Sequence, residues 1–464
     1  MADIILINPP VSSWGKVEGI RKVSPPLGIL SLAAFLEGRG YKVNVYDLAL
    51  GPGQMDPLLS SLKSGRAGIV GITSTTSTLN SALKIAEDIK KKHSGIFVVF
   101  GGPHPTIRPE DLLEKDYVDC VVRGEGELTF SELCSRKLNN ENWRDINGIA
   151  FTENGNLKIN PLPDYIRDLD ALPFPARHLV SFRRYGSTPV NYKRLPSTPV
   201  ITSRGCPFQC TFCSNPVHGK QTRFRGAENI IGELILLKEK YGIRDVVFWD
   251  DTFTLDRSRI ERICQLMNEE KLNLSWSCAT RVDTVDRNIL KMMKESGCWQ
   301  VSFGVESGVD RLRQKIKKNI SEEQIVKTFE NCRKLNIETR AFFMLGIPSE
   351  TREESLRTIE FAKRLEPDFA QFTLTVPYPG CELFEEATAQ GWVPPKWENF
   401  QTYPKDDPVY VTEGRFGGEL ADIQTRAFRS FYLRFKYVFN RLKKIRSYEE
   451  FKKYLILFLN MLRW

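Results

Sequence analysis

The chemistry in this sequence starts with three cysteines. Cys206, Cys210 and Cys213 stand in SRGCPFQCTFCSNP at C-x-x-x-C-x-x-C spacing. Thiolates are the soft ligands that iron–sulfur clusters take, and spacing this tight lets one loop wrap one corner of a cluster. Three ligands on a cube of four irons leave one iron open, where a small molecule can chelate. A closed four-cysteine structural site forbids that. A zinc loop is the alternative; it needs a fourth Cys or His nearby, and His218 lies close enough in sequence to supply one. The other seven cysteines (Cys120, Cys134, Cys264, Cys278, Cys298, Cys332, Cys381) are scattered, mostly in apolar patterns, and read as buried structural thiols. Ten cysteines in a chain of this type argue for thiols or metal ligands, not a disulfide framework.

The elements that must position this loop come in two alternating series. From Val200 onward, strands are expected at Val200–Thr202, Asp245–Trp249, Leu274–Cys278, Gln300–Phe303, Thr339–Leu345 and Phe369–Thr375. Helices are expected between them at Ala227–Tyr241, Ser258–Glu269, Asp286–Ser296, Ser321–Leu335 and Thr351–Leu365. Six βα units imply a partial barrel whose functional groups stand at the carboxyl ends of its strands. Ahead of it, Ile4–Ile7, Tyr41–Tyr46, Gly68–Ile72, Ile96–Phe100 and Val118–Val122 read as strands, with helices at Leu27–Gly38 and up to about Lys92. That alternation predicts a doubly wound parallel sheet with its ligand site beyond the carboxyl ends of the strands. Residues 1–140 are thus expected to form a Rossmann-like domain, 141–195 a proline-rich surface linker with room for a small hairpin, 196–400 the barrel, and 401–464 a helical tail.

The 464 residues are enough for two or three domains, and the apolar and charged shares, 41% and 27%, are those of a globular protein. Most of the net charge of +9 sits at the end: Ala421 to Trp464 holds eleven Lys/Arg against three Asp/Glu. Nucleic acid is therefore not an expected partner of the main body. The tail's mixed aromatic and basic residues suit helices packed on the barrel, or an amphipathic surface touching anionic membrane or a lipid-like substrate. MADIILINPP lacks the basic start of a signal peptide and Tyr454–Leu459 is too short to cross a bilayer, so a cytoplasmic protein is expected.

The cysteine motif and the segments after it resemble the radical S-adenosylmethionine (SAM) superfamily. The resemblance implies a 4Fe-4S cluster whose open iron binds the amino and carboxylate groups of SAM, and an electron donor such as flavodoxin or ferredoxin. It places Phe212 near the adenine. FWDDTF stands where the family's amine-binding motif falls but departs from it, which makes Asp250 and Asp251 the candidates for the SAM ammonium. SFGVESG implies that Glu306 accepts from the ribose hydroxyls and that Ser307 touches the SAM carboxylate. Arg281 and Arg340 are candidates to pair with that carboxylate, or members of structural ion pairs. MLGIPSET resembles a segment near the adenine.

ILINPP, PPLGILSLAAFLEGRGYKV, GGPHPTIRPEDL and VVRGEGELTF resemble the cobalamin-binding front half of one branch of that superfamily, which includes the anaerobic oxidative cyclase of chlorophyll synthesis, class B methyltransferases and hopanoid-modifying enzymes. A corrin is then expected across the carboxyl edge of the front sheet, near Asn8, Thr73, Ser74, Thr75, Gly101, Gly102, His104, Gly124 and Glu125. Small residues there allow close backbone approach. No D-x-H-x-x-G surrounds any histidine, so cobalamin is expected without a protein ligand on cobalt, and His104 as a hydrogen-bonding loop residue. A nicotinamide site is disfavoured, since no G-x-G-x-x-G follows the first strand. The resemblance implies methylation of an unactivated carbon of a small, hydrophobic or natural-product-like substrate: a deoxyadenosyl radical removes a hydrogen atom and cobalamin delivers a methyl group. An oxidative cyclase is the alternative, an RNA-modifying enzyme a remote one, and a non-catalytic cobalamin carrier a third class.

Overall fold

The computed structural model describes residues 3–10, 24–63, 68–185, 189–393, 400, 417–445, 447–448, 451–452 and 454–456. Its strands are β1 (Ile4–Asn8), β2 (Val43–Asp47), β3 (Ile69–Thr73), β4 (Phe97–Gly101), β5 (Cys120–Val122), β6 (Ile149–Glu153), β7 (Asn156–Ile159), β8 (Ser197–Val200), β9 (Ser203–Arg204), β10 (Arg223–Phe224), β11 (Asp245–Phe248), β12 (Ser275–Thr280), β13 (Cys298–Glu306), β14 (Glu338–Leu345) and β15 (Phe369–Leu374). The fold is α/β, as expected: a Rossmann-like doubly wound sheet, a six-stranded partial barrel and C-terminal helices.

The front sheet has the order β2-β1-β3-β4-β5-β6-β7, its first five strands parallel. Each parallel strand is apolar on both faces because helices cover both. Ile5, Ile7, Val70, Ile72, Val98 and Phe100 pack toward the helix Leu79–Lys92, while Ile4, Leu6, Ile69, Phe97 and Val99 pack toward Leu27–Glu37 and Gly126–Leu138. The segment expected as a surface linker does more than cross. Its hairpin β6–β7 adds to β5 in antiparallel sense, and Ala176 enters the front core. Arg177 is buried, donating from Nη2 to Glu233 Oε1 at 2.7 Å and to Pro199 O at 3.0 Å, and from Nη1 to Thr198 Oγ1 at 2.9 Å.

The second sheet runs β15-β14-β13-β12-β11-β8, every neighbouring pair parallel. Helices Ala227–Tyr241, Arg257–Glu269, Arg287–Glu295, Glu322–Lys334 and Arg352–Leu365 return the chain between strands. Four of their starts carry side-chain caps: Asp256 and Asp286 accept from backbone N–H groups, and Ser321/Gln324 and Thr351/Glu354 form capping boxes. The core between sheet and helices takes alternate strand residues such as Val301, Phe303 and Val305 of β13. The first strand of this series ends at Val200, earlier than expected, so Thr202 lies in the loop that follows.

Of the tail, 401–416 and 457–464 lie outside the described residues. The helix Gly417–Tyr432 packs on β15, the outermost strand. Tyr432 Oη donates to Ala370 O at 2.7 Å and accepts from Ala370 N at 3.0 Å, and Gln424 Nε2 donates to Phe372 O at 2.9 Å. From the next helix, Phe435–Leu442, Tyr437 Oη donates to Asp368 O at 3.0 Å.

Candidate active site

The cysteine loop leaves β9 and returns in β10, two short strands paired antiparallel with Arg204 opposite Arg223. Cys206 N donates to Gly219 O at 3.3 Å, closing the base of the loop, and Cys213 N donates to Cys210 O at 3.1 Å. Thr211 N on Ile316 O and Leu383 N on Thr211 O tie its middle to the barrel. Cys206 Sγ lies 3.7 Å from Thr252 Oγ1, and Arg281 Nη1 lies 3.9 Å from Cys210 Sγ. Burial pushes the Cys213 thiol up to about 12, with Asp251, Cys206 and Cys210 adding to the shift and Lys318 opposing it. Burial raises Cys210 as well, against the pull of Lys318 and Arg281. Three soft donors that repel one another's charge, beside two cations, suit an anionic iron–sulfur core. Among the described residues no three His, Cys, Asp or Glu side chains converge as one metal ion would require. His218, the candidate fourth zinc ligand, instead directs Nδ1 to Glu125 Oε1 at 3.2 Å.

At the carboxyl ends of the barrel strands, the candidate SAM residues divide. Glu306 ends β13 at a register shift, with φ +66°, and is buried. That left-handed backbone is costly for a residue with a Cβ and turns the carboxylate to Lys318 Nζ, 3.0 Å from Oε1. Gly304 makes room for the pair: a Cβ there would stand 2.2 Å from Glu306 Oε1 and 2.7 Å from Lys318 Nζ. Asp251 is at the mouth of the loop, where Asn215 Nδ2 donates to its Oδ2 at 3.0 Å. Burial raises its carboxyl, and Asp250 adds to this, while His218 and Asn215 lower it. Phe212 packs against the apolar cluster of Leu312, Ile316, Met344 and Ile347, of which the last two belong to MLGIPSET.

The other four candidates make contacts of their own or stand back from the strand ends. Asp250 is 3% exposed and spends both oxygens on the loop after β8: Thr202 N and Thr202 Oγ1 donate at 2.7 Å, and Ser203 donates from N and Oγ. Ser307 is buried against the helix Arg352–Leu365, its Oγ 3.1 Å from Thr358 Oγ1 and accepting from Val309 N. Arg281 donates to both oxygens of Asp283 and to Lys318 O, and stacks 3.8 Å over Phe208. Arg340 is in register with Ser302 and Phe369, in the amino-terminal half of β14, five residues before Leu345.

A hollow of about 380 Å³ lies at the carboxyl edge of the front sheet. Thr73, Gly101, Gly102, Gly124 and Glu125 line it, with Leu27 and Phe130 adding apolar wall. A Cβ on Gly102, at φ +102°, would meet Thr73 Oγ1 at 2.8 Å and Ser74 O at 2.9 Å. The stretch Ser214–His218, which follows Cys213 directly, also lines it. The remaining front candidates are committed elsewhere. Asn8 Nδ2 donates to Asp47 Oδ1 at 2.8 Å, Ser74 Oγ donates to Thr75 O, and Thr75 Oγ1 lies 3.1 Å from Thr78 Oγ1. His104 is buried between Thr76 Oγ1 at 3.1 Å from Nδ1 and Asp111 Oδ2 at 3.2 Å from Nε2, which engages both ring nitrogens.

Glu125 borders the hollow, yet its carboxylate turns away from the front sheet to Arg204, Arg223 and His218. Burial works to raise its carboxyl, but His218, Arg223 and Arg204 outweigh that and hold it well below the usual carboxylate range. Lys318, Thr252, Glu127 and Arg204 were not foreseen as part of this centre. Thr252 lies in FWDDTF, Glu127 in VVRGEGELTF and Arg204 two residues before Cys206, but nothing in the sequence marked Lys318.

The family model of the Radical SAM superfamily matches residues 200–362, and that of the B12 binding domain matches residues 17–134. An uncharacterized methyltransferase of Pyrococcus horikoshii is 37% identical over 433 residues, covering 93% of this chain and 92% of the relative. The anaerobic magnesium-protoporphyrin IX monomethyl ester cyclase of Rubrivivax gelatinosus is 26% identical, with 96% of this chain and 80% of the relative covered. Among solved structures, the radical S-adenosylmethionine methyltransferase TsrM from Kitasatospora setae, with cobalamin and a 4Fe-4S cluster bound, superposes with a TM-score of 0.71 at 19% identity, over 92% of this chain and 85% of that one. The chain thus belongs to the radical SAM superfamily, among the members that carry a B12 binding domain ahead of the barrel.

Proposed function

We propose that this enzyme is a cobalamin-dependent methyltransferase that acts on a carbon of a small, hydrophobic or natural-product-like substrate. One observation carries the reading: the hollow at the front sheet's carboxyl edge shares a wall, Ser214–His218, with the cysteine loop. When bound, the cluster supplies the electron that cleaves SAM, and cobalamin supplies the transferable methyl group. Cys206, Cys210 and Cys213 would hold the cluster, and the charges of Lys318 and Arg281 beside them offset its negative charge. Glu306, with Oε1 on Lys318, keeps Oε2 to accept from the ribose of SAM. Asp251 stands at the loop mouth to meet the SAM ammonium. Phe212, Met344 and Ile347 give the adenine an apolar bed. Thr73, Gly101, Gly102 and Gly124 would let the corrin lie close against the backbone.

Among the described residues no helix is long and apolar enough to cross a membrane. The ten free cysteines and an oxygen-sensitive cube fit a reducing, cytoplasmic setting with a flavodoxin or ferredoxin as electron donor. Phe435, Phe439 and Leu442 stand exposed on one helix of the basic tail, a surface suited to an anionic membrane. Binding to anionic but not neutral vesicles is the outcome that contact requires.

Anaerobic reconstitution with iron, sulfide and cobalamin tests the whole reading. One cube and one corrin per chain are expected, with 5′-deoxyadenosine formed from SAM on reduction. During methylation S-adenosylhomocysteine should accumulate alongside it, whereas an oxidative cyclase makes deoxyadenosine without it. Protein that takes up no corrin, or that leaves SAM intact when reduced, would end the proposal.

A further inference from the structure

Glu125 occupies the N-cap of the helix Gly126–Leu138, just past β5, yet its side chain makes no hydrogen bond to that helix. The partners of its buried carboxylate come from across the junction. Arg204 Nη1 donates to Oε1 at 3.0 Å, Arg223 Nη1 reaches both oxygens at 2.9 Å, and His218 Nδ1 lies 3.2 Å from Oε1. The N–H of Ile166 donates to Oε2 at 2.9 Å. Glu127, on the same helix, accepts from Arg204 Nη2 and, at 3.4 Å, from Nη1, so the Arg204 fork spans both carboxylates.

Every cation in this set belongs to the frame of the cysteine loop. Arg204 precedes Cys206 by two residues, Arg223 is its register partner across β9–β10, and His218 follows Cys213 by five. Both acids belong to the front sheet's side of the hollow. Buried, hydrogen-bonded ion pairs add little net stability, but each fixes one geometry, because any slip strands a charge away from water. A radical source and a methyl donor must address the same substrate atom, and displacement of about 1 Å can cost a hundredfold in rate.

We propose that Glu125, with Glu127, is a positioning clamp: it locks the cysteine loop to the carboxyl edge of the front sheet and so sets the separation between cluster and corrin. The proposal rests on the functional reading above in that both cofactors bind. Neither acid touches the reacting atoms. Ordinary domain glue would lose stability on mutation without changing that separation.

The test uses the full chain reconstituted with the cube and with cob(II)alamin as probe. Pulsed electron paramagnetic resonance then reads the dipolar coupling between the reduced cluster and the cobalt. The wild-type protein should give one narrow distance distribution. Glu125→Gln, compared at matched iron and corrin content, should give a broadened or longer one. In the cofactor-free chain, amide exchange over residues 203–224 should rise about tenfold in Glu125→Gln while the helix Ala227–Tyr241 keeps its protection. An unchanged distribution and unchanged exchange in the folded variant would overturn the clamp. Should Glu125→Gln fail to fold, Glu127→Gln, which takes away the charge that Glu127 sets against Arg204, is held to the same outcomes. Wild-type protein that shows no cube or no corrin refutes the functional reading instead, and the exchange experiment then decides the clamp alone.

Discussion

Replacing Asp250 by asparagine separates a ligand-binding role from a structural one. The carboxylate accepts four hydrogen bonds, three on Oδ1 from Thr202 N, Ser203 N and Ser203 Oγ, and one on Oδ2 from Thr202 Oγ1. An amide keeps a carbonyl for the first three but takes away their charge assistance. Its NH₂ would face a hydroxyl that already accepts from Arg259 Nη2, leaving the Thr202 hydroxyl proton without its acceptor. Losing one charge-assisted bond and weakening three should cost about 2–4 kcal/mol, since hydrogen bonds to charged groups contribute about 1.5–3 kcal/mol each. Equilibrium urea unfolding of the cofactor-free chain should therefore show the barrel transition at a midpoint lower by roughly 1 M. Isothermal titration of SAM into reconstituted Asp250→Asn should give near wild-type affinity wherever the protein remains folded. An unchanged midpoint with SAM affinity reduced tenfold or more would show that Asp250 meets the ligand, and the structural assignment would be wrong.

Gly304→Ala places a methyl group 2.2 Å from Glu306 Oε1 and should drive that carboxylate off Lys318; SAM affinity should fall about tenfold, the worth of one good hydrogen bond. Unchanged affinity would remove Glu306 from the SAM site. Asp245 is buried at the start of β11, where burial raises its carboxyl to about 6 against the hydrogen bonds of Ser275 and Ser197. The folded state then holds the proton more tightly than the unfolded chain, so this group's contribution is full below about pH 4 and declines by roughly 2–3 kcal/mol as pH rises through 6. Asp245→Asn should flatten that slope in urea titrations between pH 4 and 7; an unaltered slope would discount the group.

Much of the architecture could be read from the sequence because its signals are local. The helix Ala227–Tyr241 begins after Gly226 and ends at Gly242, whose φ of +64° is the left-handed conformation that glycine adopts most readily. The cysteines, too, announce themselves by spacing within one loop. The hidden part of the site is held by contacts between distant segments. Asp250 finds Thr202 forty-eight residues away and Glu125 finds Arg204 seventy-nine away, and such pairing leaves no period in the chain. Lys318 sits among Lys315 and Lys317, which pair with Glu386 and Glu382 on the surface, and nothing in the run shows which lysine turns inward. Ser307 shows a related effect: a motif fixes where a residue falls along a strand, while the helix packed beside it supplies Thr358 Oγ1, 3.1 Å from the Ser307 hydroxyl.

The tail's hold on Ala370, Phe372 and Asp368 has a consequence for solubility. Six strands do not close a barrel, so β15 ends the sheet with peptide groups that another extended chain could join. Tyr432 and Gln424 occupy those groups, and Tyr437 the carbonyl just before the strand, with side chains that cannot continue a ladder, which makes the two helices a stopper against sheet-to-sheet polymerisation.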